Sequence, residues 1–259
     1  MNILEKITER KKYEVSKLKK KNSYLSLEKS NYFNIPSKNL AKRILDNKIS
    51  IIAEHKRKSP SKSEINFFSK TEDVASGYEK NGAVGISVLT DEYFFGGSNN
   101  DLKIVKEICN IPLLRKDFIV DEYQIVESKS IGADTILLIA AILSDKQILK
   151  FSKLAKELGL GVLTEIHSLE DLHKCDLTYI DIIGVNNRNL KTFKVDIKYS
   201  IEVYNEIPNE VVKISESGIE SVNDVKLLID IGYDGFLIGE TFMKSKNPGL
   251  SFKNFINEL

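Results

Sequence analysis

Eight short apolar runs rich in β-branched residues recur along this chain, each separated from the next by a longer stretch whose apolar residues fall at helical spacing. They occupy residues 51–53, 84–89, 111–114, 135–139, 161–164, 180–185, 211–214 and 235–238. Between the fourth and fifth, residues 145–158 place Ile148, Leu149, Phe151, Leu154, Ala155 and Leu158 at the spacing of a helix. Near-continuously apolar strands are buried on both faces, and helical crossovers between them make the sheet parallel. Such a sheet either stays open and doubly wound or closes into a barrel. The strand count favours closure, as does a length of 259 residues, close to the roughly 250 typical of the barrel. An open dinucleotide-binding sheet needs a glycine-rich turn after its first strand, whereas residues 54–61 contain no glycine. The expected fold is therefore α/β: a (β/α)8 TIM barrel over residues 49–259 with an N-terminal helical extension over residues 1–48, in a single domain.

In that extension Leu4, Ile7, Tyr13, Val15 and Leu18 are loosely helical amid dense charge, and Ser37 with Leu40, Ile44 and Leu45 suggests a second short helix. The plain reading is a solvated extension capping one barrel end; the sharper one is that part of it covers the mouth of a site. Composition narrows the partners. With 42% apolar and 29% charged residues the chain buries a full core, and a formal net charge of +1 offers no field to hold a polyanion. Nucleic acid is not expected. No apolar run approaches the roughly 20 residues of a membrane helix, and the lysine-rich N-terminus lacks a signal-peptide core, so a cytoplasmic protein is expected. Cys109 and Cys175 stand apart from metal-ligand spacing and read as ordinary thiols.

Barrel enzymes place their chemistry at the carboxyl ends of the strands. Glu54 and Lys56 follow Ile52 at steps of two, so all three point to the same side, the barrel interior. A carboxylate and an ammonium aimed inward are either a simple internal pair or functional. Lys116 shares a side with Leu114, and Glu165 with Leu163, so charges from three strands converge. Burial lowers a lysine pKa and raises that of a glutamate, the usual route to an acid and a base near neutrality. Asn186 and Arg188 alternate to one side after the sixth run, where the arginine fork suits an anion; the simpler reading is an asparagine-rich turn. Ser217 and Gly218 follow the seventh run, and Gly239 and Glu240 the eighth. Small residues at these two turns let backbone N–H groups approach a phosphate; the Glu240 carboxylate is expected to point away. His55 and His167 are read as alternating away from the mouth, and His173 as helical.

The segments Ile52-Ala-Glu-His-Lys-Arg-Lys-Ser-Pro-Ser61, Val88-Leu-Thr-Asp91, Phe95-Gly-Gly-Ser98, Leu114-Arg-Lys-Asp-Phe-Ile119, Leu163-Thr-Glu-Ile-His167, Gly184-Val-Asn-Asn-Arg-Asn-Leu190, Ser215-Glu-Ser-Gly-Ile219 and Leu237-Ile-Gly-Glu240 stand in this order. Together they resemble the indole-3-glycerol-phosphate synthase family along essentially the whole sequence. The resemblance implies conversion of 1-(2-carboxyphenylamino)-1-deoxyribulose 5-phosphate to indole-3-glycerol phosphate, carbon dioxide and water in tryptophan biosynthesis. It implies no metal or organic cofactor. By motif, Lys116 is the principal general acid and Glu165 the general acid/base of dehydration. Lys56 engages the substrate carboxylate, and Glu54 positions the lysines. Asn186 and Arg188 fix the anthranilate side; Glu216 contacts the sugar chain or the lysines. Ser217, Gly218, Gly239 and Glu240 supply the phosphate cradle, mostly through backbone. Phe95, Phe118 and Leu190 resemble apolar walls, and Ser59 is a further substrate contact, whereas Lys58 reads equally well as a surface charge.

The partner is then a small phosphorylated molecule, with neither nucleic acid nor membrane, and the chain a monomer or weak homodimer carrying no fused pathway enzyme. Many relatives place glycine where this chain has Ser63; a turn demanding a positive φ there would strain it. Two alternatives stay open from the residues: an isomerase or Schiff-base aldolase on the same phosphate cradle, and a non-catalytic phosphate-binding barrel.

Overall fold

The computed structural model describes residues 2–189 and 192–259. Eight parallel strands close into a barrel in sequence order: β1 (Ile51–His55), β2 (Gly85–Leu89), β3 (Leu113–Lys116), β4 (Thr135–Ile139), β5 (Gly161–Ile166), β6 (Ile182–Asn186), β7 (Val212–Glu216) and β8 (Gly235–Ile238). Pairing of Ile52 with Leu237 completes the ring. Each strand answers one of the eight apolar runs, but several begin or end a residue or two further on. β1, β3, β6 and β7 extend past the last apolar residue of their runs into the polar ones that follow, and β5 runs on through Glu165 to Ile166, the backbone groups there still pairing with the neighbouring strands.

Alternation divides the strand residues into two layers. Ile52, Leu114, Leu137, Leu163, Ile182, Ile214 and Leu237 fill the barrel interior, while Ile51, Ala53, Ile86, Leu113, Ile136, Val162, Ile183 and Phe236 pack outward beneath the helices. The helix Asp145–Glu157, read from its spacing as 145–158, buries Ile148, Phe151 and Ala155 in that outer layer behind a Ser144–Gln147 capping box.

The extension closes both ends of the barrel. Helix α1 (Ile3–Lys21) begins at a capping box formed by Asn2 and Glu5 and inserts Ile7 against the carboxyl ends of the strands. A short α2 (Tyr24–Glu28), which no periodicity announces, follows. Helix α3 (Leu40–Leu45), capped by Asn39, plugs the opposite end with Leu40 and Ile44. Glycine at the starts of β2 and β8 makes room for it: a Cβ at Gly85 would stand 2.7 Å from the Leu40 side chain, and one at Gly235 3.3 Å from Ile44. No described helix is long and apolar enough to cross a membrane. Cys109 is buried and Cys175 half-buried, both as free thiols.

Candidate active site

Continuing the inward alternation past the apolar layer brings Glu54 from β1, Lys56 just beyond it, Lys116 from β3, Glu165 from β5, Asn186 from β6 and Glu216 from β7 around one cavity at the carboxyl end. Lys116 Nζ lies 2.8 Å from Glu165 Oε2 and 2.5 Å from Glu216 Oε2. Lys56 Nζ lies 2.7 Å from Glu54 Oε1, and the other Glu54 oxygen accepts from the Ser87 hydroxyl at 3.1 Å. Two bare backbone positions make this possible. A Cβ on Gly184 would meet Glu216 Oε1 at 2.2 Å, and one on Gly239 would meet Glu54 Oε1 at 2.8 Å.

Electrostatics in the cluster reverse the direction expected from burial alone. Burial pulls the Lys116 pKa down, but the carboxylates of Glu165, Glu216 and Glu54 hold it above the usual lysine range. Burial likewise pushes Glu165 up, and Lys116 with His167 nonetheless keeps it well below the ordinary carboxylate range. Glu54 is held low against burial by Lys56 and Lys116. Glu216 is pushed up to about 7, first by burial and then by the like charges of Glu165 and Glu54, which Lys116 only partly offsets. Among the described residues, one of its oxygens, Oε1, is buried without a hydrogen-bond partner. The resting centre is thus an ammonium, an ionised Glu165 and a Glu216 poised near neutrality.

Opposite these charges the wall is apolar. Phe95 and Phe118 face one another with ring centroids 5.8 Å apart, and Ile3, Leu4 and Ile7 of α1 form a roof. The reading in which the extension covers the mouth is therefore the one the fold adopts. The roof is tied down by Lys11 Nζ, which reaches Asp91 at 2.8 Å and Asp117 at 2.9 Å, just beyond β2 and β3. Burial opposes that ammonium, and Asp117 and Asp91 overcome it, keeping it charged. Removing one member of such a buried pair costs on the order of 3–5 kcal/mol.

At the other end of the cavity, Ser217 (φ 66°) and Gly218 (φ 74°) form a left-handed turn. A Cβ on Gly218 would stand 2.2 Å from Val195 Cγ1. Gly239 precedes the one-turn helix Glu240–Met243. The Glu240 carboxylate is taken up by Lys62, by Lys244 at 3.5 Å and by Arg188 at 3.9 Å. Burial pushes its pKa up, and Lys62 and the other cations bring it below the ordinary value. Arg188 also donates to the Phe193 carbonyl at 3.4 Å. Ser59 lines the cavity from its rim, whereas Lys58 turns aside to the Tyr93 carbonyl at 2.8 Å. Leu190 lies outside the described residues.

Three local expectations are corrected. His167 does not turn away: standing two residues beyond Glu165, it shares that residue's side, with Nε2 3.2 Å from Glu165 Oε1. Ser63 carries no positive φ; the loop instead folds on a pair of backbone hydrogen bonds between Ser59 and Lys62, at 2.8 and 3.0 Å. The lysine and glutamate shifts at Lys116 and Glu165 run opposite to desolvation, for the reason given above. Sequence reasoning also passed over Phe193, Val195 and Ser87, which no motif marks, and Lys11, whose partners lie far along the chain.

A closed (β/α)8 barrel with ion-paired lysines and glutamates gathered at its carboxyl mouth defines a barrel enzyme of acid–base chemistry. Comparison with known proteins narrows this class. Residues 4–255 match the family described as indole-3-glycerol phosphate synthase. The indole-3-glycerol phosphate synthase of Bacteroides thetaiotaomicron is 43% identical over 259 residues, covering 100% of this chain and 99% of that protein. That of Prochlorococcus marinus subsp. pastoris is 45% identical over 266 residues, covering 100% and 90%. The chain belongs to the indole-3-glycerol phosphate synthase family. Among solved structures, the KGPDC of Streptococcus mutans superposes with a TM-score of 0.60 at 13% identity, covering 81% of this chain and 96% of that one. Thiamine phosphate pyrophosphorylase from Pyrococcus furiosus does so at 0.59 and 13%, covering 85% and 96%. At such identities these two likenesses speak to the fold alone.

Proposed function

We infer that this cavity carries out the reaction of its family: ring closure, decarboxylation and dehydration of 1-(2-carboxyphenylamino)-1-deoxyribulose 5-phosphate to indole-3-glycerol phosphate, in tryptophan biosynthesis. The observation that carries the residue assignment is the Lys116 ammonium held between Glu165 and Glu216 inside a cavity with one apolar wall and one backbone-lined end. Ring closure joins an aromatic carbon to the substrate's ketone carbon, so the ketone oxygen needs a proton, and Lys116 supplies it as general acid. Loss of carbon dioxide then returns the bonding electrons to the ring. Dehydration expels the new hydroxyl as water, taking one proton from an acid, while a base removes the neighbouring ring proton. Glu165, ionised and 2.8 Å from Lys116, is that base.

Lys56 meets the substrate carboxylate, with Glu54 holding it in place at 2.7 Å. Asn186 and Arg188 orient the anthranilate side, with the aromatic ring against Phe95 and Phe118. The apolar enclosure excludes water and strengthens each charge interaction inside it. Glu216 borders the sugar chain and tunes Lys116. The phosphate lies on the backbone of Ser217, Gly218, Gly239 and Glu240, with Ser59 on the rim. A Schiff-base aldolase would need a neutral lysine, and the carboxylates around Lys116 favour the charged one. A crystal soaked with indole-3-glycerol phosphate tests the placement. Phosphate oxygens within hydrogen-bond reach of the Ser217–Gly218 and Gly239–Glu240 backbone support it; a phosphate beside Lys116 contradicts it.

A further inference from the structure

We propose that Asn187 is a positioning residue for the phosphate end of the site: its carboxamide clamps the Ser217 carbonyl and so holds the left-handed turn in the shape that accepts phosphate. The inference rests on the assignment of Ser217 and Gly218 to the phosphate cradle. Asn186 points into the barrel, so Asn187, one residue on, points outward, between the ends of β6 and β7 and the helix Lys198–Val203. It is 3% exposed.

Every polar atom of Asn187 is engaged. Its side-chain nitrogen donates to the Ser217 carbonyl at 3.1 Å and to the Ser215 hydroxyl at 2.9 Å. Its side-chain oxygen accepts from the Ser200 N–H at 3.1 Å and the Ser200 hydroxyl at 2.8 Å. The backbone N–H donates to the Glu216 carbonyl at 2.9 Å, and the backbone carbonyl accepts from the Asp196 N–H at 3.1 Å. The amide orientation follows from chemistry: a carbonyl only accepts and a backbone N–H only donates, so nitrogen faces Ser217 and oxygen faces Ser200. The pocket is itself fixed from behind, where the Tyr233 hydroxyl donates to the Ser200 carbonyl at 2.7 Å.

Ser217 needs such a clamp. At φ 66° a residue with a Cβ is strained and keeps that conformation only where its surroundings over-determine it. Asn187 grips two consecutive carbonyls at the end of β7, Glu216 through its backbone and Ser217 through its side chain. Truncating the side chain therefore leaves the Glu216 backbone bond in place, and with it the lysine–carboxylate centre, while the phosphate turn loosens. That predicts a split between binding and chemistry.

The test compares the full-length enzyme with Asn187→Ala, Asn187→Asp and Ser200→Ala, measuring kcat, KM, competitive inhibition by inorganic phosphate, and thermal melting. Loss of the Ser217 bond should raise KM and the phosphate inhibition constant about tenfold, with kcat changed by less than about threefold. Asn187→Asp keeps the shape and both Ser200 bonds but turns an acceptor toward the Ser217 carbonyl, so it should show the same split even where the alanine variant fails to fold. Ser200→Ala, which spares the Ser217 bond, should lower the melting temperature and leave phosphate inhibition near wild type. Unchanged phosphate inhibition in the Asn187 variants, whatever happens to melting or kcat, overturns the proposal and leaves the cradle standing. A wild-type enzyme that inorganic phosphate does not inhibit overturns the cradle assignment and the proposal together.

Discussion

The two ends of the cavity are built from different materials. The acid–base end is made of side chains: ammonium and carboxyl groups from β1, β3, β5 and β7, ion-paired at 2.5–2.8 Å and aimed inward by strand alternation. The end we assign to phosphate is lined by backbone, with a left-handed turn at Ser217 and Gly218 and glycine where a Cβ would intrude. A proton donor must carry a titratable atom, so its chemistry fixes residue type; a phosphate is satisfied by N–H groups from any residue, so its site fixes backbone shape instead. The first end should fail when a functional group is exchanged, the second when a Cβ is added.

Lys116→Ala and Glu165→Gln should do the most damage, each lowering kcat by about 100- to 10,000-fold with circular dichroism unchanged; near-normal turnover in both would break the division at its strong end. Gly218→Ala comes next. It forces a Cβ into a left-handed residue and against Val195, and should raise KM about tenfold with a smaller change in kcat. A fall confined to kcat would show that this turn belongs to the chemical end.

Glu216→Gln sharpens the boundary through pH. Burial raises the Glu216 pKa from 4.5 to about 7, so its ionisation adds a second full negative charge beside Lys116 as pH rises through that value. Lys116 then holds its proton more tightly and is a weaker acid, so kcat/KM should fall several-fold above about pH 7 and the variant should lack that limb. The same titration acts on folding. A carboxyl raised in the folded state contributes stability that is full below 4.5 and lost as pH rises through about 7, so wild-type melting temperature should decline across that window more than the variant's does. A limb that persists unchanged in the variant assigns the titration elsewhere. Lys62→Ala is the mildest change: its bond to Glu240 is half exposed, and its loss should alter KM by no more than about threefold, read from steady-state kinetics.

How much of this was legible in the sequence follows the same division. Strand alternation has a period of two, so Ile52, Leu114 and Leu163 tell which side Glu54, Lys116 and Glu165 take, whereas Glu216 is reached only through the family resemblance. The same period of two places His167 on the side of Glu165. Glycine at the seventh and eighth strand ends likewise marks the turns we assign to phosphate. Quantities set by residues from different strands were not legible. The sign of the Lys116 and Glu165 shifts depends on their meeting, which desolvation reasoning about each residue alone inverts. The roof over the mouth depends on Lys11 finding Asp91 and Asp117, and no local pattern in residues 3–21 names partners so far along the chain. Asn187 reads as the neighbour of a site residue, and only the packing of a helix behind β6 makes it a clamp.

The most direct measurement exploits a blank in the composition: the chain contains no tryptophan, so indole fluorescence after addition of 1-(2-carboxyphenylamino)-1-deoxyribulose 5-phosphate can come only from product. Wild-type enzyme should generate that emission in step with carbon dioxide release, and Lys116→Ala should generate almost none. Substrate left without emission by the wild type, or emission at near wild-type rate from the variant, would contradict an indole-forming centre built on Lys116.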